Sequence, residues 1–290
     1  MGTNQGHAVK AVAWAVGFLV FAFVLAMALA GVSAAAMIGG LESGSEWLRV
    51  SGPAQILLQG ISLTAGALLA TYVIGVRILG MDLETLRWQG TNWSTRPVRW
   101  GLALGVAAAA LTVLLSVAVG RARWVGDGGT LMQFMTRALE TLVVLAPAAL
   151  SEELIFRGVP LVLASKLLGR APAVLLMAIV FGLAHALNPN VTPQGVANVV
   201  LAGLLLGTAF YCPGGLWTAF AVHLGWNVTL AVSGAAVSGV PFDIPAVDYH
   251  PGGPGWLTGG SFGPEGGLLA TLALGAGTMI AVRWARKDTA

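Results

Sequence analysis

Three short segments of the chain carry side chains able to do acid–base chemistry: Ser151-Glu152-Glu153-Leu154-Ile155-Phe156-Arg157-Gly158, Phe181-Gly182-Leu183-Ala184-His185, and His223-Leu224-Gly225-Trp226-Asn227. In each, two functional residues stand four apart, which on an α-helix places them on one face. Glu153 and Arg157 can therefore pair, while Glu152 points about 100° away and needs another partner. A carboxylate held against a neutral imidazole can share a water and remove its proton. His223 and Asn227, one turn apart, could both donate to the oxyanion formed when that water attacks a carbonyl. Phe181, one turn before His185, would shield the imidazole from bulk water. Arg157 would fix Glu153 and leave Glu152 for chemistry. This is the inventory of a hydrolase.

The surroundings make these residues expensive. The 290 residues are 57% hydrophobic and 9% charged, with a mean hydropathy of +0.82, whereas about a quarter of the residues of a soluble globular chain are charged. The composition is that of a polytopic membrane protein. A Glu or Arg near the middle of a lipid-exposed helix costs about 2.5–3.5 kcal/mol on insertion scales, so such groups face a partner or a water-filled cavity. One Glu-Arg pair or one His on an apolar helix is commonly structural. Their joint occurrence on three of the most apolar stretches points to function. Asn198, Ser151 and Ser233, by contrast, read as structural. The net charge of +3 sits in short connecting segments and is a topology signal, so a nucleic-acid partner is not expected. A single cysteine, Cys212, precludes an internal disulfide.

The elements that must position these residues are apolar helices. Spans are predicted at about 11–38, 53–79, 98–119, 141–168, 172–188, 194–211, 216–237 and 267–282, where about 20 residues cross the hydrocarbon core. A signal peptide is the rival reading of the first, since Ala28-Leu29-Ala30 resembles a cleavage site. Leu131–Glu140 would suit an interfacial helix, with the fourth span kinked at Pro147 or Pro160. Gly101 and Gly105 have the spacing that lets helices approach closely. Residues 77–99 mix arginines with Trp88 and Trp93, typical of a membrane interface, and residues 238–265 hold Asp243, Asp248 and Glu265 with no Lys or Arg, which suits a long extracytoplasmic loop. The expected fold class is all-α, a polytopic membrane helical bundle of about eight transmembrane helices with both termini cytoplasmic. Its expected organisation is 1–130 as N-terminal transmembrane helices, 131–237 as a catalytic core, and 238–290 as a loop and last span.

At the three motifs the sequence resembles the CAAX protease and bacteriocin-processing family of intramembrane endopeptidases, which includes the prenyl-protein CAAX endopeptidases and the Abi proteins of bacteria. The family pattern, Glu-Glu-x-x-x-Arg, Phe-x-x-x-His and His-x-x-x-Asn, stands here in order as Glu152, Glu153 and Arg157, Phe181 and His185, and His223 and Asn227. The resemblance covers about 131–237. It implies that Glu152 and His185 activate the attacking water, that His223 and Asn227 form the oxyanion site, and that the chain lies in a bacterial cell membrane. No cofactor is favoured, although zinc could be held by Glu152, His185 and His223 with water in the fourth position. No His-Glu-x-x-His occurs, so spacing alone gives no metal signal. The implied partners are the lipid bilayer and a peptide or membrane-protein substrate. The alternative is a non-catalytic membrane scaffold or immunity protein with the same fold; a weaker one is an ion or proton carrier using the same residues as a relay.

Overall fold

The protein is described from a computed structural model covering residues 2–50, 52–88 and 96–287. Of the interface aromatics named above, Trp93 lies outside the described residues. The chain divides into two compact units, one of Met1–Trp88 with Val143–Ala173, the other of Gln89–Leu142 with Val174–Ala290. It is an all-α membrane helical bundle. Five helical segments among the described residues are long and apolar enough to cross a membrane: Ala8–Ile38, Pro53–Ile78, Arg96–Ala118, Pro193–Phe210 and Leu268–Arg286. Two shorter apolar helices, Arg170–Ala184 and Leu216–Val232, join them.

In the first unit α1 (Gly2–Ile38) packs on α2 (Leu41–Leu48), on α3 (Pro53–Ala70) and on α6 (Val159–Leu168). Small residues set the separation, as membrane helices require where apolar burial cannot drive association. A methyl at Gly66 of α3 would collide with the Ala22 carbonyl of α1. α3 continues as a π-helical segment, Thr71–Ile78, closed by the Leu79 N–H donating to the Ile74 carbonyl at 2.9 Å.

Between α3 and α6 in this unit runs the second half of α5 (Leu131–Arg157). Here the structure corrects two expectations. Residues 131–140 are not a separate interfacial helix but the first turns of α5, which passes through Pro147. The break comes instead at Gly158, with Pro160 in the first turn of α6. Proline at a helix start leaves no N–H unsatisfied that would otherwise bond. Around Pro147, α3 approaches closely: Gly60 faces Ala148, and the Thr64 hydroxyl donates to the Pro147 carbonyl at 2.8 Å.

In the second unit α4 (Arg96–Ala118) and α9 (Leu216–Val232) run parallel and meet through glycine on both sides. Gly101 faces Thr218, Gly105 faces Val222, and Gly225 faces Leu102. The glycine pair of α4 thus lies on the face toward the helix that carries His223 and Asn227. α7 (Arg170–Ala184) packs, from Val174 on, antiparallel to α8 (Pro193–Phe210), with Gly203 against Ala178 and Gly207 against Val174. α11 (Leu268–Lys287) runs alongside α8 and α4. The start of α4 and the end of α11 lie at one end of this unit, where Arg96, Trp100, Pro213, Arg283 and Trp284 line a common groove.

The other end of this unit is less bare than a loop. Short strands β1 (Arg123–Val125) and β2 (Asp248–His250) pair antiparallel, with Trp124 opposite Tyr249. Asp127 accepts from the backbone N–H groups of Gly129 at 2.8 Å and Ala246 at 2.7 Å, which hold its carboxyl below the ordinary range. Arg121 and Arg123, which sit awkwardly in a count of charges by loop, are thereby placed beside the 238–265 segment. A small α10 (Gly255–Thr258) precedes α11.

Gly105→Ala would drive a methyl into the Val222 carbonyl. It is expected to cost about 1–3 kcal/mol, the usual penalty of overpacking, read as an earlier melting transition of the purified chain. Gly17→Ala, at a position with nothing in reach of the added methyl, should melt like wild type. An unshifted transition for Gly105→Ala would mean that α4 and α9 do not meet in this register.

Candidate functional site

The first motif occupies the last turn of α5, and its chemistry follows from that place. Backbone carbonyls at a helix C-terminus carry partial negative charge, so a carboxylate there is disfavoured and a cation favoured. Glu153 and Arg157 resolve this together. Arg157 Nη1 lies 3.2 Å from Glu153 Oε1, and the two side chains are 1% and 0% exposed. The guanidinium also lies 5.8 Å from the ring centroid of Phe156, within the reach of a cation–π contact. The helix can end there because Gly158 tucks against the Leu154 carbonyl, where any Cβ would collide. Glu152, rotated away from the pair, is only half-buried.

The second and third motifs come together within the other unit. Phe181 is buried in the last turn of α7, and His185 lies one residue beyond the end of that helix rather than inside it, in the turn leading to Asn188. Its N–H still reaches back to the Gly182 carbonyl at 3.2 Å. The His185 Nδ1 is 2.8 Å from the Phe181 carbonyl oxygen. A carbonyl can only accept, so Nδ1 carries the hydrogen and donates it. The basic nitrogen of the neutral ring is then Nε2.

Phe181 packs against both imidazoles. Its ring centroid is 4.6 Å from that of His185 and 6.1 Å from that of His223, the latter edge-on at 83°. His223 is buried on α9, and Asn227, one turn further, is half-buried. Phe181 therefore links the second motif to the third by ring contact. Among the described residues no three His, Cys, Asp or Glu side chains form a metal-ligand set.

One acid that a composition reading leaves in a solvated loop proves to be buried. Glu265 is 7% exposed, and its Oε1 accepts from the indole N–H of Trp226, the residue beside Asn227, at 2.7 Å. Its position directly before an apolar span was the available signal. The residues read as structural are engaged as such: Ser151 donates to the Ala148 carbonyl and Ser233 to the Leu230 carbonyl, each at 2.7 Å, while Asn198 bonds the backbone at Glu265 and Gly267.

Residues 134–229 match the family model described as Type II CAAX prenyl endopeptidase Rce1-like. This stretch is Rce1-like. No curated protein and no solved structure matches the chain. The Rce1-like stretch runs from the first turn of α5 into the last turns of α9 and contains all seven motif residues from Glu152 to Asn227. It leaves out α1 to α4, the paired strands and α11. Glu265 thus lies beyond the Rce1-like stretch yet bonds a residue inside it.

Removing the guanidinium would leave the Glu153 carboxylate uncompensated in a dry interior. Arg157→Ala is expected to cost about 3–5 kcal/mol, seen as lost folded yield on size-exclusion chromatography. The double change Glu153→Leu with Arg157→Leu, which removes both charges, should recover much of that yield. A monodisperse, wild-type yield for Arg157→Ala would show that the pair does not hold the end of α5.

Proposed function

We propose that this chain is an intramembrane endopeptidase that hydrolyses a peptide bond of a membrane-associated protein or peptide. The observation that carries the reading is the Nδ1 hydrogen bond of His185 to the Phe181 carbonyl. It fixes the tautomer in which Nε2 is basic, as a general base in water activation requires. The Rce1-like match over the stretch holding all three motifs supports the same reaction class.

In the proposed reaction Glu152 and the His185 Nε2 act on one water, which attacks the carbonyl carbon of the scissile bond as its proton moves to the protein. The resulting oxyanion accepts from the His223 imidazole N–H and the Asn227 Nδ2 amide. Collapse of the tetrahedral intermediate breaks the C–N bond, and the stored proton passes to the leaving amine. Glu153 and Arg157 take no proton; they hold the last turn of α5. The family description names prenylated CAAX proteins, and for this chain the proposal covers a peptide bond close to the bilayer, with or without a lipid. The basic end of the second unit, with Arg96 and Arg283, faces the cytoplasm by the excess of Lys and Arg on that side.

The test is cleavage by purified wild type, Glu152→Gln and His185→Ala of a membrane-extract peptide library and of a farnesylated and an unfarnesylated CAAX peptide, with and without a strong chelator. Removal of a general base typically costs about 10²–10⁴ in rate. Both variants should therefore lose cleavage while keeping the wild-type melting transition. Wild-type turnover in both would overturn the assignment. Activity that survives the chelator supports the metal-free reading, and activity lost to it and restored by zinc would turn Glu152, His185 and His223 into ligands. Cleavage by no sample, with a partner protein retained instead, would favour a scaffold.

A further inference from the structure

Outside the Rce1-like stretch, two segments of the second unit converge on the turn that holds His185 and on the turn of α9 that holds His223 and Asn227. The first is 236–240. Asn188, three residues after His185, donates its side-chain N–H to the Ser238 carbonyl at 3.0 Å. Next to it Gly239, at φ +85°, presses so closely on the Pro189 carbonyl that a Cβ would collide. The second segment is 262–267. The Gly239 N–H donates to the Phe262 carbonyl at 2.9 Å, and the Phe262 ring lies against Gly195 at the start of α8.

Glu265 locks these pieces to α9. Its Oε2 accepts from both the backbone N–H and the hydroxyl of Ser238, its Oε1 accepts from Trp226 Nε1 at 2.7 Å, and its backbone carbonyl accepts from Asn198 Nδ2 at 2.7 Å. Ser238 adopts φ +48°, a conformation costly for a residue with a side chain. That conformation persists only where its surroundings over-determine it. Here it lets Ser238 give both of its hydrogens to one carboxylate oxygen while its carbonyl faces Asn188. The path from one motif to the other is therefore continuous: His185 turn, Asn188, Ser238, Glu265, Trp226, then Asn227.

We propose that Glu265 is a positioning residue, the centre of a brace made by 236–240 and 262–267 that fixes the His185 turn against the His223–Asn227 turn. It acts through Ser238 and Trp226 and touches no reacting atom. Its role in rate rests on the endopeptidase reading above; its role in holding the two turns does not. The Phe181 ring, in contact with both imidazoles, links the two turns by non-directional packing. The hydrogen-bonded brace supplies the missing direction.

The experiment uses the full chain in lipid nanodiscs and compares wild type with Glu265→Ala, Glu265→Gln and Asn188→Ala. Hydrogen exchange is read at the amides of 185–191, and cleavage kinetics in parallel. Glu265→Ala should speed exchange of that turn by at least about tenfold, as local opening becomes easier, and lower kcat by about 10–100-fold with KM within about threefold, the signature of misplaced rather than lost groups. Glu265→Gln, which keeps the size and one acceptor oxygen, should restore part of both. Asn188→Ala should move both readouts in the same direction. Exchange changes confined to 236–267, or a loosened turn with wild-type kcat, would overturn the brace. If Glu265→Ala does not fold, Asn188→Ala and Trp226→Phe each remove a single bond of the path and are judged by the same criteria. If wild type cleaves no substrate but the turn loosens, the brace stands and the endopeptidase reading falls.

Discussion

The end of α5 is built around the ion pair of Glu153 and Arg157, whose side chains are both buried. Two charges taken out of water lose several kcal/mol each in hydration, and their mutual attraction repays this only with good geometry. The local structure is arranged around that condition. The pair sits one helical turn apart, the cation is last and so faces the negative end of the helix, and Phe156 adds a ring to the guanidinium. Gly158 then ends the helix immediately. A longer α5 would have carried the guanidinium away from the terminal carbonyls.

Many polar groups elsewhere in the molecule meet the same requirement by simpler means. Hydroxyls in the helices return to carbonyls of their own turn, as Thr71, Thr112 and Ser116 do at 2.8–2.9 Å. His185 gives its Nδ1 hydrogen to a carbonyl in this way too, and the satisfaction of one ring nitrogen decides the chemistry of the other. The bond meets a structural requirement and leaves Nε2 as the acceptor of the neutral ring. The glycines of α4 and α9 play the corresponding part for the backbone. They permit an approach that fixes the height at which His223 stands.

The helices and the pairing of Glu153 with Arg157 were legible from the sequence because they follow from composition and period. Long apolar runs must be helices, since no other structure satisfies its own backbone in lipid, and residues four apart must share a face. The bounds of α4, α8 and α11 are close to those expected for this reason. What was not legible depends on contacts distant in sequence. Pro147 looks like a helix break, but α5 passes through it, with Gly60 of α3 against Ala148 and the Thr64 hydroxyl on the Pro147 carbonyl. Gly158 looks innocuous and is the real break. His185 looks like a helix residue because its period is right, yet Asn188-Pro189 ends α7 just before it. Glu265 looks solvated because its neighbours are glycine and proline; only the fold reveals the indole and the serine turned toward it.

Glu265 also bears on how a family match should be read for this chain. The matched stretch closes at residue 229, inside α9, two residues after the last motif residue. Such a helix satisfies its own backbone in lipid, but the orientation of its polar turn comes from what packs on it. α8, inside the stretch, packs on it, and so do α4, through glycine, and the acid–indole bond from beyond the stretch. The last two lie outside the matched residues. The three motifs thus lie within the matched stretch, while the helix that carries the third is held both from inside that stretch, by α8, and from outside it, by α4 and Glu265.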